Sequence, residues 1–230
     1  MNFSERLETI QQKIDFATQR GGFGRPVVII AATKSRPPNT VRKCCEAGIK
    51  HIGENRIQEA EIKFENLERL PMVTKRFIGT LQSNKVNKCL DLFDTVDSVD
   101  SIRLAKKIDK RSKTLGKTTP ILLEVNTTKE KQKHGFWPEK FEDMALCTTL
   151  KNINVKGLMT LGPRSKNEKK TRKAFSLLRK VKDRINSEIG ENQLVDLSMG
   201  MSADYEIGIE EGSTMVRIGT ALFGPRTPLK

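Results

Sequence analysis

The chain has 230 residues, 36% of them hydrophobic, and carries 42 Lys and Arg against 28 Asp and Glu, a formal charge of +14. That length holds one large core or two small ones, since domains run to about 100–200 residues and closed α/β barrels to about 250. No run of about 18 uncharged apolar residues occurs, and the first 25 residues mix acids and glutamines where a signal peptide needs an apolar stretch, so a cytoplasmic protein without membrane spans is expected.

An amphipathic helix opens the chain over residues 2–19, with Phe3, Leu7, Ile10, Ile14 and Ala17 on one side, and Gly21, Gly22 and Gly24 mark the loop after it. Val27 to Ala32 is a continuous apolar run that reads as a buried strand ending at Thr33-Lys34. Pro37-Pro38 lead into a helix that Gly48 ends, His51 to Gly53 forms a short strand, and a helix follows over 56–69. Further strands fall at 75–78, around Val96, and at 121–125, 155–159, 193–197 and 215–218, with helices at 101–114, 138–150 and 166–184. Eight strands separated by helices, with no linker between them, fit a single (β/α)8 TIM-type barrel with an extra N-terminal helix over residues 1–230. In that architecture function gathers where strands end.

Cys44, Cys45, Cys89 and Cys147 lack paired spacing, and only His51 and His134 could join them, so no metal site is expected. Residues 166–184 hold nine basic and two acidic residues. Ala174, Phe175, Leu178, Val181 and Ile185 recur there at helical spacing, which describes a helix with a solvated charged face. A polyanion-binding surface is the alternative, although the stretch offers few groups that stack on or read bases.

Three strand ends carry chemistry. Lys34 leaves a buried strand beside apolar neighbours, where desolvation would disfavour its ammonium form and make it a nucleophile toward aldehydes. An ordinary lysine one residue past a strand has the same position. Residues 197–212, LSMGMSADYEIGIEEG, pass from a strand through Ser198-Met199-Gly200-Met201-Ser202 into a short helix capped by Ser202 or nearby. Such a turn can cradle a phosphate, and it is also a common structural feature with nothing bound. In STMVRIGTALFG, residues 213–224, Arg217 would face the barrel interior if Val216 and Ile218 pack outward, with Gly219-Thr220 following at the strand end. An internal ion pair is the other use for such an arginine.

The segments AATKSRP (31–37), HIGENRIQEA (51–60), RFIGTLQSNK (76–85), VDSVDSIRLA (96–105), LLEVNTTKEKQKHG (122–135), KGLMTLGP (156–163) and LSMGMSADYEIGIEEGSTMVRIGTALFG (197–224) resemble the YggS/PROSC family of pyridoxal phosphate homeostasis proteins. The barrel of that family is similar to the N-terminal domain of alanine racemase. The resemblance implies pyridoxal 5'-phosphate (PLP) held as a Schiff base on Lys34. Ser198, Gly219 and Thr220 would hold its phosphate, Arg217 would face the pyridine nitrogen, and Asn55 and Met199 would flank the ring. Arg76 and His134 depart from residues common in the family, outside the cofactor-carrying segments.

An arginine at the pyridine nitrogen disfavours its protonation and weakens the ring as an electron sink. A racemase also needs acid and base on opposite faces of the substrate, and the second domain that completes the resembling racemase is not expected here. The expected function is a monomeric carrier or buffer in PLP homeostasis, with apo forms of PLP-dependent enzymes as recipients. A weak PLP-dependent amino-acid racemase is the alternative. Tyr205 is expected to pack in its helix with a solvent-facing hydroxyl.

Overall fold

In the computed structural model, which describes residues 1–65, 73–165, 167–191 and 193–225, eight parallel strands close into a barrel in sequence order, with β8 pairing back onto β1. The strands are β1 (Val28–Ala32), β2 (His51–Glu54), β3 (Thr74–Phe77), β4 (Thr95–Val99), β5 (Thr119–Glu124), β6 (Ile153–Met159), β7 (Asp196–Met201) and β8 (Met215–Ile218). The helices are α1 (Phe3–Gly21), α2 (Asn39–Glu46), α3 (Ile57–Phe64), α4 (Val86–Leu92), α5 (Ile102–Thr114), α6 (Phe141–Thr148), α7 (Glu168–Ile189), α8 (Tyr205–Glu210) and α9 (Thr220–Phe223). The opening helix α1 begins with a capping box between Asn2 and Glu5 and ends at Gly22 in the left-handed conformation.

The closed barrel and the added first helix follow the sequence reading, and several boundaries move. Strand β7 starts at Asp196 rather than residue 193 and runs through Met201, so Ser198, Met199 and Gly200 lie within it. Helix α3 stops at Phe64, and residues 66–69 of the expected helix lie outside the described residues. Helices α4 and α9 carry too short a pattern for periodicity to find. Ser202 caps no helix of its own. Asp204 precedes α8, and its carboxylate accepts the Met201 N–H at 2.7 Å.

Alternation along the strands builds two apolar layers. Ile29, Ala31, Val216 and Ile218 face the helices in one large cluster, while Ile30, Leu122, Met159 and Met215 meet inside the barrel as a small plug. The next inward positions toward the strand ends, Ala32, Glu124 and Arg217, form the floor of the mouth. On β3 and β4 the interior holds a buried ion pair: Arg76 donates to Asp97 at 2.7 and 3.0 Å, and Thr95 Oγ1 donates to the same carboxylate at 2.9 Å. Arg76 is thus an interior residue.

Two basic residues of helix α7 tie it to the C-terminal end of α8 and to its own first turn. Arg172 pairs with Glu168, Glu210 and Glu211, and Arg179 pairs with Glu211. Lys169, Lys170, Lys173, Lys180 and Arg184 are exposed, as the expected solvated face requires, and Lys182 is buried.

Burial and then the nearby Arg76 guanidinium push the His51 imidazole below its ordinary range, while Asp97 opposes them. A depressed folded pKa contributes stability that is complete above the unfolded value of about 6.5 and is lost as pH falls through the folded value. The variant His51→Gln should therefore lose less melting temperature than the wild type between about pH 6.5 and pH 5. Parallel losses in the two proteins would refute the assignment.

Candidate functional site

At the C-terminal ends of the strands, a cleft of about 240 Å³ is lined by Ala32, Lys34, Arg36, Ile78, Leu161, Met201, Ser202, Ala203, Arg217, Gly219 and Thr220. Two larger hollows lie elsewhere. One of about 490 Å³ sits between α1 and the starts of β1 and β2, and one of about 760 Å³ between residues 127–130 and the start of α7. Only the smallest of the three brings Lys34, Arg217 and a converging pair of backbone N–H groups together.

Lys34 reaches this cleft because β1 ends in the apolar, inward-facing Ala32 and the chain then turns. The Thr33 N–H donates to Gly53 O at 3.1 Å, and Arg36 N–H closes the turn on Thr33 O at 3.1 Å. Lys34 is half-buried within that turn.

Arg217 points inward as the apolar neighbours Val216 and Ile218 require, and it is 4% exposed. Its guanidinium donates to Ser198 O at 2.8 Å, Ser198 Oγ at 2.7 Å and Thr160 O at 2.7 Å. Burial pushes Arg217 down from the ordinary arginine value, and the carboxylates of Asp97, Glu124 and Asp204 push it back up. The Glu124 carboxyl is shifted up by burial and pulled down by Arg217. The mouth therefore has a fixed cation with acids behind it, and no carboxylate lines the cleft among the described residues.

The two serines of this segment are placed differently from one another. Ser198 is fully buried beneath the cleft, with its hydroxyl engaged by Arg217, because β7 extends past it. Ser202 lines the cleft instead, and its hydroxyl accepts N–H groups from Gly219 and Ala221, each at 3.1 Å. Two N–H groups thus converge on one oxygen position, which is the arrangement a phosphate oxygen would use. The sequence signal for Ser202 was its place at the strand end once the length of β7 is known.

Met199 does not flank the cleft. Alternation in β7 turns it away from Ser198, and it is buried in the apolar layer between barrel and helices. Asn55 is half-buried at the end of β2 and packs against Gly79, where an added Cβ would lie 2.4 Å from the Asn55 carbonyl oxygen. Gly219 and Thr220 are where the sequence put them. Tyr205 is 5% exposed, so its ring packs as expected, and burial pushes its hydroxyl up to about 12.

The chain is an eight-stranded parallel barrel of the TIM class, with a lysine after its first strand and a converging pair of N–H groups after its eighth. The family model described as alanine racemase, N-terminal domain, matches residues 12–227. A pyridoxal phosphate homeostasis protein of Aquifex aeolicus is 40% identical over 228 residues, covering 98% of this chain and 99% of that one. The structure of PipY from Synechococcus elongatus PCC7942 with PLP bound is 32% identical, with a TM-score of 0.85, over 97% of this chain and 100% of that chain. An alanine racemase from Clostridium difficile, 17% identical with a TM-score of 0.75 over 95% of this chain and 61% of that chain, shares the fold alone. The chain belongs to the family of pyridoxal phosphate homeostasis proteins.

Proposed function

We propose that this protein is a single-barrel PLP carrier, in which Lys34 bonds the cofactor's aldehyde carbon, Ser202, Gly219 and Thr220 with the Ala221 N–H hold its phosphate, and Arg217 faces its pyridine nitrogen. One observation carries this reading: Lys34, Arg217, Gly219, Thr220 and Ser202, whose hydroxyl gathers the Gly219 and Ala221 N–H groups, line the same cleft at the C-terminal face of the barrel. The name of the Aquifex relative and the PLP bound to PipY support it. Asn55 would contribute at the edge of the ring. PLP supplies an aldehyde that captures an amine and a ring that withdraws electrons when its nitrogen is protonated.

This chain's residues suit holding better than turnover. The guanidinium of Arg217 disfavours a proton on the facing ring nitrogen, which weakens electron withdrawal. Among the described residues lining the cleft there is no carboxyl, imidazole or phenol to serve as the second proton-transfer group of a racemase. The reversible product is then a reserve of cofactor for apo forms of PLP-dependent enzymes, in the cytoplasm and from a monomer. No helix of the described residues is long and apolar enough to cross a membrane.

The test is PLP addition to the wild type and to Lys34→Ala, followed by borohydride reduction and peptide mapping. The wild type is expected to carry its reduced adduct on Lys34, and the variant none at the barrel mouth. An adduct spread equally over surface lysines in both proteins would overturn the reading.

A further inference from the structure

Behind Lys34, between the ends of β1 and β2 and helix α3, lies a group of charged side chains that the cleft does not use. Lys63 of α3 is 2% exposed. Its ammonium donates to Thr33 O at 2.6 Å, Glu54 Oε1 at 2.6 Å and Glu59 Oε1 at 2.7 Å. Glu54 Oε1 also accepts the Thr33 hydroxyl at 2.5 Å, and Glu59 accepts the Ser35 N–H. Beyond the bonds these three residues make to each other, their side chains bond to Thr33 and Ser35, the two neighbours of Lys34.

Holding such a group inside the fold is costly. The remaining buried face of α3 is Ile57, Ala60 and Phe64, so an apolar residue at position 63 would complete that face with no ammonium of its own to desolvate. Glu54 is fully buried, its Oε2 has no hydrogen-bond partner among the described residues, and burial pushes its carboxyl up. Ser35, a non-glycine residue, is held at φ +57°, in the left-handed region. The contacts explain both features, because they fix the backbone on each side of Lys34.

We propose that Lys63, Glu54 and Glu59 are positioning residues that clamp the Thr33–Lys34–Ser35 turn and aim the Lys34 amine into the cleft. The clamp governs capture of an aldehyde and leaves phosphate binding to the loops after β7 and β8. This inference rests on the PLP reading of the site.

The experiment uses the full chain with two ligands: PLP, which can bond to Lys34, and pyridoxine 5'-phosphate, which carries an alcohol in place of the aldehyde. The variants are Lys63→Met and, because Lys63→Met strands Glu54 without its counter-charge and can unfold the chain, Glu59→Ala, whose wild-type side chain is 25% exposed. Both are expected to slow PLP capture by ~10-fold or more, the scale of one lost charge-assisted hydrogen bond. Affinity for pyridoxine 5'-phosphate should stay within about 2-fold, well below that scale. Glu59→Gln, which keeps an acceptor for the Ser35 N–H, should recover much of the rate. Equal weakening of both ligands, or no change in capture in a folded variant, would overturn the clamp. A wild type that captures no aldehyde would overturn the reading of the site itself, and the clamp with it.

Discussion

Replacing Asp97 by Ala is expected to cost about 3–5 kcal/mol of folding stability, whereas the double variant Arg76→Met/Asp97→Leu should recover most of that loss. Arg76 is 6% exposed and Asp97 is fully buried, and their two hydrogen bonds are the paired geometry that offsets desolvation of the ions. Removing only the acid leaves a guanidinium in the barrel interior with its principal counter-charge gone. Removing both leaves an apolar interior of similar volume, and only Thr95 then needs a new hydrogen-bond partner. Asp97 also adds to the field that holds Arg217 charged, so the single variant should disturb the mouth above it as well. Urea unfolding at constant m-value reads the difference directly. A single variant costing under about 1 kcal/mol would show that the pair carries little of the barrel's stability.

The variant Arg217→Met should lose about 3 kcal/mol at neutral pH, because a charged donor leaves Ser198 and Thr160 and Glu124 loses the cation that most favours its charged form. The size of this loss depends on pH with a definite sign. Glu124 already has a raised folded pKa, and without Arg217 it rises further. Stability from a raised carboxyl is fully present below its unfolded value of about 4.3 and is lost as pH rises through the folded value. The penalty of the variant should therefore be smallest near pH 4 and grow toward neutrality. A penalty that does not vary with pH would separate Glu124 from Arg217. In the same variant PLP should still bond to Lys34 but with ~10-fold weaker affinity, since the contact to the ring nitrogen is gone and the aldehyde chemistry is not. Unchanged affinity would remove Arg217 from the ring and leave it a purely internal residue.

Much of this protein is written in local sequence. The alternation of apolar runs and amphipathic segments specifies a βα barrel, and the run VVIIAA ending at Thr33-Lys34 brings that lysine to a strand end whatever the details of packing. Arg217 is equally legible, since Val216 and Ile218 can only be buried against the helices, and a strand then turns the residue between them inward. Gly219 and Thr220 follow from the same strand.

What tertiary structure decided is which side chains those strand ends present. In β7 the pairing with β8 shifts register between Ser198 and Met201. A period of two assigns faces only when the ends and irregularities of a strand are known, and one residue of slip exchanges them. For that reason Ser198 lies beneath the floor, Met199 belongs to the outer layer, and Ser202 meets the N–H groups of Gly219 and Ala221. Lys63 and the Arg76–Asp97 pair were hidden for a related reason. A charged residue in an amphipathic segment reads as a solvated one, and its burial depends on partners 9 to 30 residues away that only the closed barrel brings within hydrogen-bonding distance.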